Sequence, residues 1–299
     1  MMWHLYHGLA NTSKKMVTET ESREKESRDR YLDLMKKVLT HSLWREDIYV
    51  LQKRSGRNLK NKLRNFVIDL IGRTGYYLGR KETRTDNEID QGIGWPRQAD
   101  TMIGLKRLEN LQYCCEAVIE MNIPGDFIEA GVWRGGATIF MNAVLRAHHE
   151  KGRKVWVADS YEGLPAPSPD RYPLDKGDKH HTWESLKISV EEVRMNFEKY
   201  NLLDENVVFL KGWFKDTLPN APIDKLAVIR LDGDIYESTW DSITNLYPKL
   251  QPGGFIIIDD YYVNKSCEQA ITDYQNKFGI TEEINRIDWA GGYWQKSFI

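Results

Sequence analysis

Short apolar runs alternate with segments of helical periodicity from about residue 100 to the end of the chain. The runs are "GDFIE", "KVWVADS", "VVFLKGW", "KLAVIRLDGD" and "GGFIIIDDYY". Strands that alternate with helices are typical of βαβ units, and continuous apolar strands are typical of a parallel sheet buried on both faces. The sequence therefore predicts an α/β fold around a largely parallel sheet.

The N-terminal third of the chain has a different character. Residues 11–30 are polar and charged, and we expect them to form a mobile arm. Apolar side chains recur at helical spacing over 59–71, within a basic segment at 53–84. This stripe predicts a helix that covers the main domain or a dimer partner; membrane contact through 53–84 is the less favoured alternative. We divide the chain into a helical, basic extension (1–95), acting as a lid or in dimerisation, and a main domain (96–299).

The overall composition argues against several classes of protein. A formal net charge of −2 does not suit a nucleic-acid binder that works by electrostatic attraction. Three cysteines form neither a disulfide framework nor a spaced metal cluster, so we expect a reducing compartment. The first residues lack a long apolar core with a cleavage site, so we expect no secretory signal, and no run of about 18 apolar residues suggests a membrane span. We therefore expect a cytoplasmic protein.

Pairs of aspartates follow two consecutive predicted strands. Asp232 and Asp234 follow "LAVIRL", and the next run, "GGFIII", ends in Asp259 and Asp260. A right-handed crossover makes such strands parallel neighbours about 4.8 Å apart, and ligands bind beyond their carboxyl ends. Crowded carboxylates repel one another, so the pattern predicts a hard divalent cation, with Mg²⁺ favoured and Mn²⁺ or Ca²⁺ as alternatives. The other interpretation is that each aspartate ends a strand or caps a helix, as Asp234 could do for the helix that follows.

A glycine-bearing turn follows the first apolar run of the alternating series, "GDFIE". The stretch "IEAGVWRGG" contains Glu129 and Gly131, and it is not the G-x-G-x-x-G pattern of dinucleotide-binding proteins. An acidic residue before a glycine bend suits a ligand with a cationic end or hydroxyl groups. Asp159 ends the next strand, where an acidic residue commonly binds the ribose hydroxyls of a nucleoside. An ordinary tight turn and a solvated strand end are the alternative.

A series of motifs carries a resemblance to a known family. They are, in order, "TMIGLKRLENLQ", "GDFIEAGVWRGGA", "VWVADSYEGLP", "NFEKYNLL", "FLKGWFKDTLP", "IRLDGDIYEST", "LYPKLQPGGFIIIDDY" and "YWQK". Together they resemble the TylF/macrocin O-methyltransferase family over residues 100–295, with a weak extension to "RYLDLMKKVLT". Members of that family methylate sugar hydroxyls of macrolide and aminocoumarin antibiotics, using S-adenosylmethionine (SAM) and Mg²⁺.

The resemblance implies a fold, a reaction and roles for individual residues. The implied fold is a mostly parallel, seven-stranded Rossmann-like methyltransferase sheet with helices on both faces and a helical N-terminal extension, in a homodimer. The implied reaction transfers a methyl group from SAM to a hydroxyl of a sugar or glycosylated small molecule. Asp232, Asp259 and Asp260 would bind the metal, and Asp234 would be the general base. The residues implied at the SAM site are Thr101, Met102, Glu129, Gly131, Asp159, Ser160, Gly212, Trp213 and Asp216.

A proline-containing stretch at 162–182 is long enough to be a lid or binding loop. We expect His180 and His181 within it to be solvated loop residues rather than catalysts. Three aromatic residues in and beside this loop could either stack on an acceptor ring or pack internally: Tyr161, Tyr172 and Trp183.

Two rival functions stay open on the sequence alone. A metal-dependent glycosyltransferase or a phosphatase would also use an Asp-x-Asp pair such as that in "LDGD". Neither of them accounts for Glu129 and Asp159. A non-enzymatic module that binds a membrane or a partner through the basic segment 53–84 is the second alternative.

Overall fold

The computed structural model describes residues 22–298 except 45, 57, 95 and 96. The described elements of the N-terminal extension are α1 (22–39), β1 (Glu46–Val50), α2 (Leu59–Gly72), β2 (Gly79–Thr83) and α3 (Asp86–Gln91). The main domain begins with α4 (Leu105–Glu120), β3 (Asp126–Ala130), α5 (Gly136–Ala147), β4 (Val155–Asp159), α6 (Val190–Lys199), β5 (Val207–Lys211) and α7 (Phe214–Thr217). It ends with β6 (Leu226–Leu231), α8 (Tyr236–Leu246), β7 (Leu250–Ile258), α9 (Lys265–Phe278), β8 (Asn285–Arg286) and β9 (Gly292–Gln295).

The main sheet has seven strands in the order β5-β4-β3-β6-β7-β9-β8. The first five are parallel, whereas β9 runs antiparallel to both β7 and β8. All five apolar runs form strands, which confirms the predicted α/β fold class and its mostly parallel seven-stranded sheet. The strand order reverses between β3 and β6, and ligands of open α/β sheets bind at such a switch point.

Each face of the sheet is covered by helices, because successive side chains of a strand point to opposite faces. Phe127 of β3 belongs to a buried cluster that includes side chains of α1, α4, α5 and α6. The next residue, Ile128, belongs to a second cluster with side chains of α8 and α9. In β7, Ile256 and Ile257 divide between the two clusters in the same way. This double burial explains why the strands are apolar along their whole length.

The first described helix includes part of the predicted N-terminal arm. Residues 22–30 are helical and continue into the buried second half of α1. Ion pairs four residues apart stabilise this polar end, such as the 2.8 Å contact between Lys25 Nζ and Asp29 Oδ2. The rest of the predicted arm, residues 11–21, lies outside the described part of the chain.

Helix α2 confirms the helical prediction for 59–71, but the described part of the chain leaves all of its residues at least partly exposed. No residue of α2 is buried, and four of its apolar side chains are exposed by half or more: Leu59, Leu63, Phe66 and Leu70. A two-stranded antiparallel sheet of β1 and β2 accompanies it, which the sequence analysis did not predict. The proposed boundary between 95 and 96 lies outside the described residues. Among those described, no helix is long and apolar enough to cross a membrane.

Backbone hydrogen bonds continue past the strand ends and align the residues that follow. Gly131 donates its N–H to Ala158 across 2.9 Å. Asp232 donates to Ala130 and Asp259 donates to Leu231, each across 2.9 Å. The ends of β3, β4, β6 and β7 are therefore held side by side, at the edge where an α/β sheet binds its ligands.

Candidate active site

Three aspartates converge at the ends of β6 and β7. Asp232, Asp259 and Asp260 each offer one carboxylate oxygen, and these oxygens all lie within 4.8 Å of one another. A set of carboxylate oxygens is the donor chemistry that Mg²⁺ and related hard cations prefer. The residues present therefore fit a divalent cation, and the predicted convergence of the two strand ends is confirmed.

Burial makes this cluster electrostatically unusual. Burial, reinforced by neighbouring carboxylates, raises the pKa of Asp232 and of Asp260 well above their ordinary range. Burial also disfavours the charged form of Asp259, but Arg107 and Arg230 outweigh it and lower the pKa of that carboxyl. The site thus carries more acidic groups than its own cations neutralise, and a bound divalent cation would reverse the upward shifts.

Arg230 is the centre of a buried ion-pair network that the sequence analysis missed. Its side chain lies within β6, is only 2% exposed, and donates one hydrogen bond to Glu129. It also donates to Asp232 at 3.0 Å and to Asp259 at 2.5 Å. Arg107 of α4 donates to the other oxygen of Asp259 at 2.7 Å. The one available signal was a charged residue inside an otherwise apolar strand, since a buried arginine requires acidic partners.

Asp234 does not cap helix α8, so that alternative is wrong. Its backbone φ of 56° lies in the left-handed region, and the N-terminal cap of α8 is Ile235. The first N–H groups of α8 instead donate to Asp175, from Tyr236 at 2.8 Å and from Glu237 at 3.2 Å. Asp175 lies about 60 residues earlier, in the long loop, and no local sequence pattern indicates such a contact. This arrangement leaves the carboxylate of Asp234 to the site.

The pKa of Asp234 is raised. Burial is the largest cause, and the nearby carboxylates of Asp259 and Asp178 raise it further, whereas the charge of His180 lowers it. A carboxylate with a raised pKa is a better proton acceptor near neutral pH than an exposed aspartate.

The turn after β3 requires a glycine. Gly131 has a φ of +93°, and a Cβ atom there would lie 1.9 Å from the carbonyl oxygen of Asp232. Asp159 holds this turn from β4, because its carboxylate accepts N–H groups from Val132 at 2.8 Å and Tyr161 at 2.7 Å. Asp159 therefore has a structural role beside any role in binding a ribose.

Glu129 offers an unsatisfied acceptor beneath the turn. One of its carboxylate oxygens bonds Arg230, while the other, Oε2, is buried without a hydrogen-bond partner. Burial raises the pKa of Glu129 to about 7. An unpaired buried carboxylate oxygen is costly, and a ligand with a cationic amino group would satisfy it.

A cavity of about 450 Å³ lies over these residues, a size typical of small-molecule sites. The predicted site residues that line it are Met102, Gly131, Asp159, Ser160, Trp213, Asp232, Asp234, Asp259 and Asp260. Four others are not part of this lining: Thr101 and Glu129 are buried, Gly212 is partly exposed and Asp216 is exposed. Gly212 donates its N–H to the carbonyl of Asp159 at 2.9 Å and so supports Trp213. The roles in SAM binding stay predictions for all nine SAM-site residues.

The loop aromatic residues separate into two kinds. Tyr161 is buried, with its hydroxyl bonded to the carbonyl of Val157 at 2.8 Å. Tyr172 is also buried, stacked on Tyr236. Trp183 is 50% exposed and lines the cavity.

His180 lies in the loop as expected and is partly exposed, with 29% of its side chain accessible, but it also lines the cavity; its lack of a catalytic role stays a prediction. His180 lines the same cavity as Asp234, and its Nδ1 lies 2.6 Å from the carboxylate of Asp178. His181 is not part of the cavity lining. A loop without periodicity gives no sequence signal that would distinguish these two neighbouring histidines.

The family model described as macrocin O-methyltransferase (TylF) matches residues 28–296. The chain belongs to this family. It is therefore an O-methyltransferase, and family membership implies SAM as the methyl donor. Membership also favours methyl transfer over the glycosyltransferase and phosphatase alternatives. The match extends well before residue 100, where the sequence analysis found only a weak resemblance.

Several characterised proteins are similar to this chain over most of their length. The 8-demethyl-8-(2,3-dimethoxy-alpha-L-rhamnosyl)-tetracenomycin-C 4′-O-methyltransferase of Streptomyces olivaceus is 48% identical, covering 90% of this chain and 94% of that protein. The demethyldecarbamoylnovobiocin O-methyltransferase of Streptomyces niveus is 46% identical, covering 94% and 98%. A solved structure of the O-methyltransferase NovP is 46% identical with a TM-score of 0.77, covering 90% of this chain and 99% of that one.

Replacing Arg230 tests the buried network. The Arg230→Met variant leaves three carboxylates without their shared cation, so we expect the free energy of unfolding of the metal-free protein to fall by about 3–5 kcal/mol. Urea denaturation measures this change. The control is Arg30→Met, which breaks an exposed pair with Glu26 and should leave the free energy of unfolding nearly unchanged. Equal, small effects in both variants would contradict the account.

Proposed function

We propose that this protein transfers a methyl group from SAM to a hydroxyl of a sugar on a glycosylated small molecule, with a divalent cation bound by Asp232, Asp259 and Asp260. The observation that carries the proposal is the convergence of these carboxylates, within 4.8 Å of one another, on the cavity lined by Asp234. The sugar hydroxyl is inferred from relatives whose names specify a rhamnosyl glycoside, a novobiocin precursor and mycinamicin III. Mg²⁺ is the favoured cation.

The chain's own residues would divide the work between donor and acceptor. The orphaned oxygen of Glu129 and the carboxylate of Asp159 would bind the amino group and the ribose of SAM, beside the turn at Gly131. SAM supplies a methyl group that its sulfonium already activates, so the protein mainly contributes alignment.

On the acceptor side, Arg230 and Arg107 would hold Asp259 in a fixed orientation through both of its oxygens. A divalent cation at this cluster would lower the pKa of a sugar hydroxyl and fix its direction, and two neighbouring oxygens of a diol would suit it best. Asp234 would take the hydroxyl proton as general base. The walls of the cavity would exclude water while the acceptor oxygen meets the methyl group in line.

We also infer that the extension, 1–95, supports a homodimer. The exposed apolar side chains of α2 favour such a contact over a membrane surface, because amphipathic stripes are more often protein contacts. We expect light scattering to give a molar mass in solution of twice that of one chain. A molar mass equal to that of a single chain would contradict the inference. A cytoplasmic location stays a prediction.

Methyl transfer from labelled SAM tests the proposed function. Demethyldecarbamoylnovobiocin and rhamnosyl glycosides, the acceptor types named for two relatives, are the first acceptors to assay. We expect mass spectrometry to show a product with one added methyl group, no product after EDTA treatment, and recovery with Mg²⁺. Full activity in EDTA would refute the metal's role, and failure with every glycoside would refute the acceptor class.

Replacing Asp234 tests the general base. We expect Asp234→Asn to bind SAM as wild type does in isothermal titration, while kcat falls by about 10²- to 10⁴-fold. The matched control is Asp224→Asn, an exposed aspartate just before the N-terminal end of β6, whereas the cavity lies at the C-terminal end of that strand; this variant should retain full turnover. Unchanged turnover in Asp234→Asn would show that another group accepts the proton.

A further inference from the structure

We propose that Asp178, His180 and Trp183 form a subsite that binds the sugar ring of the acceptor, with His180 Nε2 accepting a hydrogen bond from a hydroxyl other than the one methylated. This inference rests on the proposed function, since it assigns a partner to the acceptor of that reaction. It concerns the loop between β4 and α6, whose histidines the proposed chemistry does not use.

Asp178 fixes the imidazole of His180 in one orientation. Its Oδ2 lies 2.6 Å from His180 Nδ1, and its Oδ1 accepts the backbone N–H of the same residue at 2.9 Å. A carboxylate can only accept a hydrogen bond, so Nδ1 carries a proton, and in the neutral form of the ring Nε2 is then an acceptor. Within the described part of the chain, Nε2 has no hydrogen-bonding partner. A ligand hydroxyl in the cavity that His180 lines would supply one.

Trp183 supplies an apolar surface next to this acceptor atom. The two rings meet edge to face with centroids 4.4 Å apart, and a 3₁₀ turn holds them together through a 2.9 Å bond from Trp183 N to His180 O. Half of Trp183 is exposed, and it lines the cavity. A sugar ring has an apolar C–H face and polar edges, so an exposed indole beside a fixed acceptor matches both.

The subsite lies on the wall of the cavity that Asp234 also lines. His180 and Trp183 line it together with the proposed base, whereas Asp178 acts through its bond to His180. An acceptor that presents one hydroxyl to Asp234 could present another to His180. The chemistry therefore requires an acceptor sugar with at least one free hydroxyl beyond the methylated one.

Replacing His180 should weaken acceptor binding and leave the donor side unchanged. We expect His180→Ala to raise the KM for the acceptor about 3- to 10-fold, the effect of one lost neutral hydrogen bond, with kcat within about twofold of wild type. Trp183→Leu should act in the same direction, and Asp178→Asn more weakly. Affinity for S-adenosylhomocysteine (SAH), by isothermal titration, should not change. The matched control is His181→Ala, in the same loop but outside the cavity lining, which should keep the wild-type KM.

Two further measurements keep this test distinct from that of the proposed function. Saturation-transfer NMR of methyl α-L-rhamnoside with the SAH-loaded protein reports acceptor binding without turnover, and we expect a weaker signal for His180→Ala than for His181→Ala. The same measurement is then made with deoxy analogues of the rhamnoside, each of which lacks one hydroxyl. One analogue should bind wild type and His180→Ala equally, because it lacks the hydroxyl that donates a hydrogen bond to Nε2. If methyl transfer fails while this binding difference persists, the proposed function is refuted and the subsite stands.

Four outcomes would overturn the subsite. One is an unchanged KM and an unchanged NMR signal in His180→Ala. A second is a lower kcat at constant KM, which would assign His180 to the chemical step. A third is no binding of the rhamnoside to wild type. The fourth is a binding signal that falls by the same factor in His180→Ala for every deoxy analogue.

Discussion

The compensation of buried negative charge at one edge of the sheet governs this structure. Glu129 of β3 and the aspartates that follow β6 and β7 lie close together. Arg230 of β6 lies among them and is almost fully buried. Burying the charge of this arginine costs free energy unless carboxylates pair with it. Burying the carboxylates has the same cost unless the arginine pairs with them. The network thereby couples Glu129, on the proposed donor side, to Asp232 and Asp259, on the proposed metal side.

The carboxylates that the two arginines leave uncompensated make the site suited to positively charged ligands. Arg107 and Arg230 lower the pKa of Asp259, while burial and repulsion still raise that of Asp232 and Asp260. Further positive charge would stabilise the ionised cluster, and the orphaned oxygen of Glu129 would accept a cationic group. The proposed methyl donor and divalent cation both bring positive charge to this edge, so the same imbalance favours both ligands.

The sequence predicts those features that depend on local pattern and topology. Continuous apolar runs predict the five parallel strands, and the crossover rule brings Asp232 to Asp259 without any knowledge of contacts. Arg230 was missed because two of its three partners, Asp259 and Glu129, lie 29 and 101 residues away along the chain. Periodicity predicts helix α2, but it does not indicate which surface packs against the apolar side chains of that helix. Asp175 and His180 lie in a loop where neither periodicity nor propensity indicates a contact. Only the folded chain reveals that Asp175 accepts the first N–H groups of α8 and that His180 lines the cavity.

The most direct test of the central claim is anomalous diffraction from crystals grown with Mn²⁺ and SAH. The account predicts one anomalous peak bound by the carboxylates of Asp232, Asp259 and Asp260, at the metal–oxygen distances of about 2.0–2.6 Å typical of hard cations. Density for SAH should lie beside it, over Gly131. A cluster without a peak at saturating Mn²⁺, or a peak held by other residues, would contradict the account.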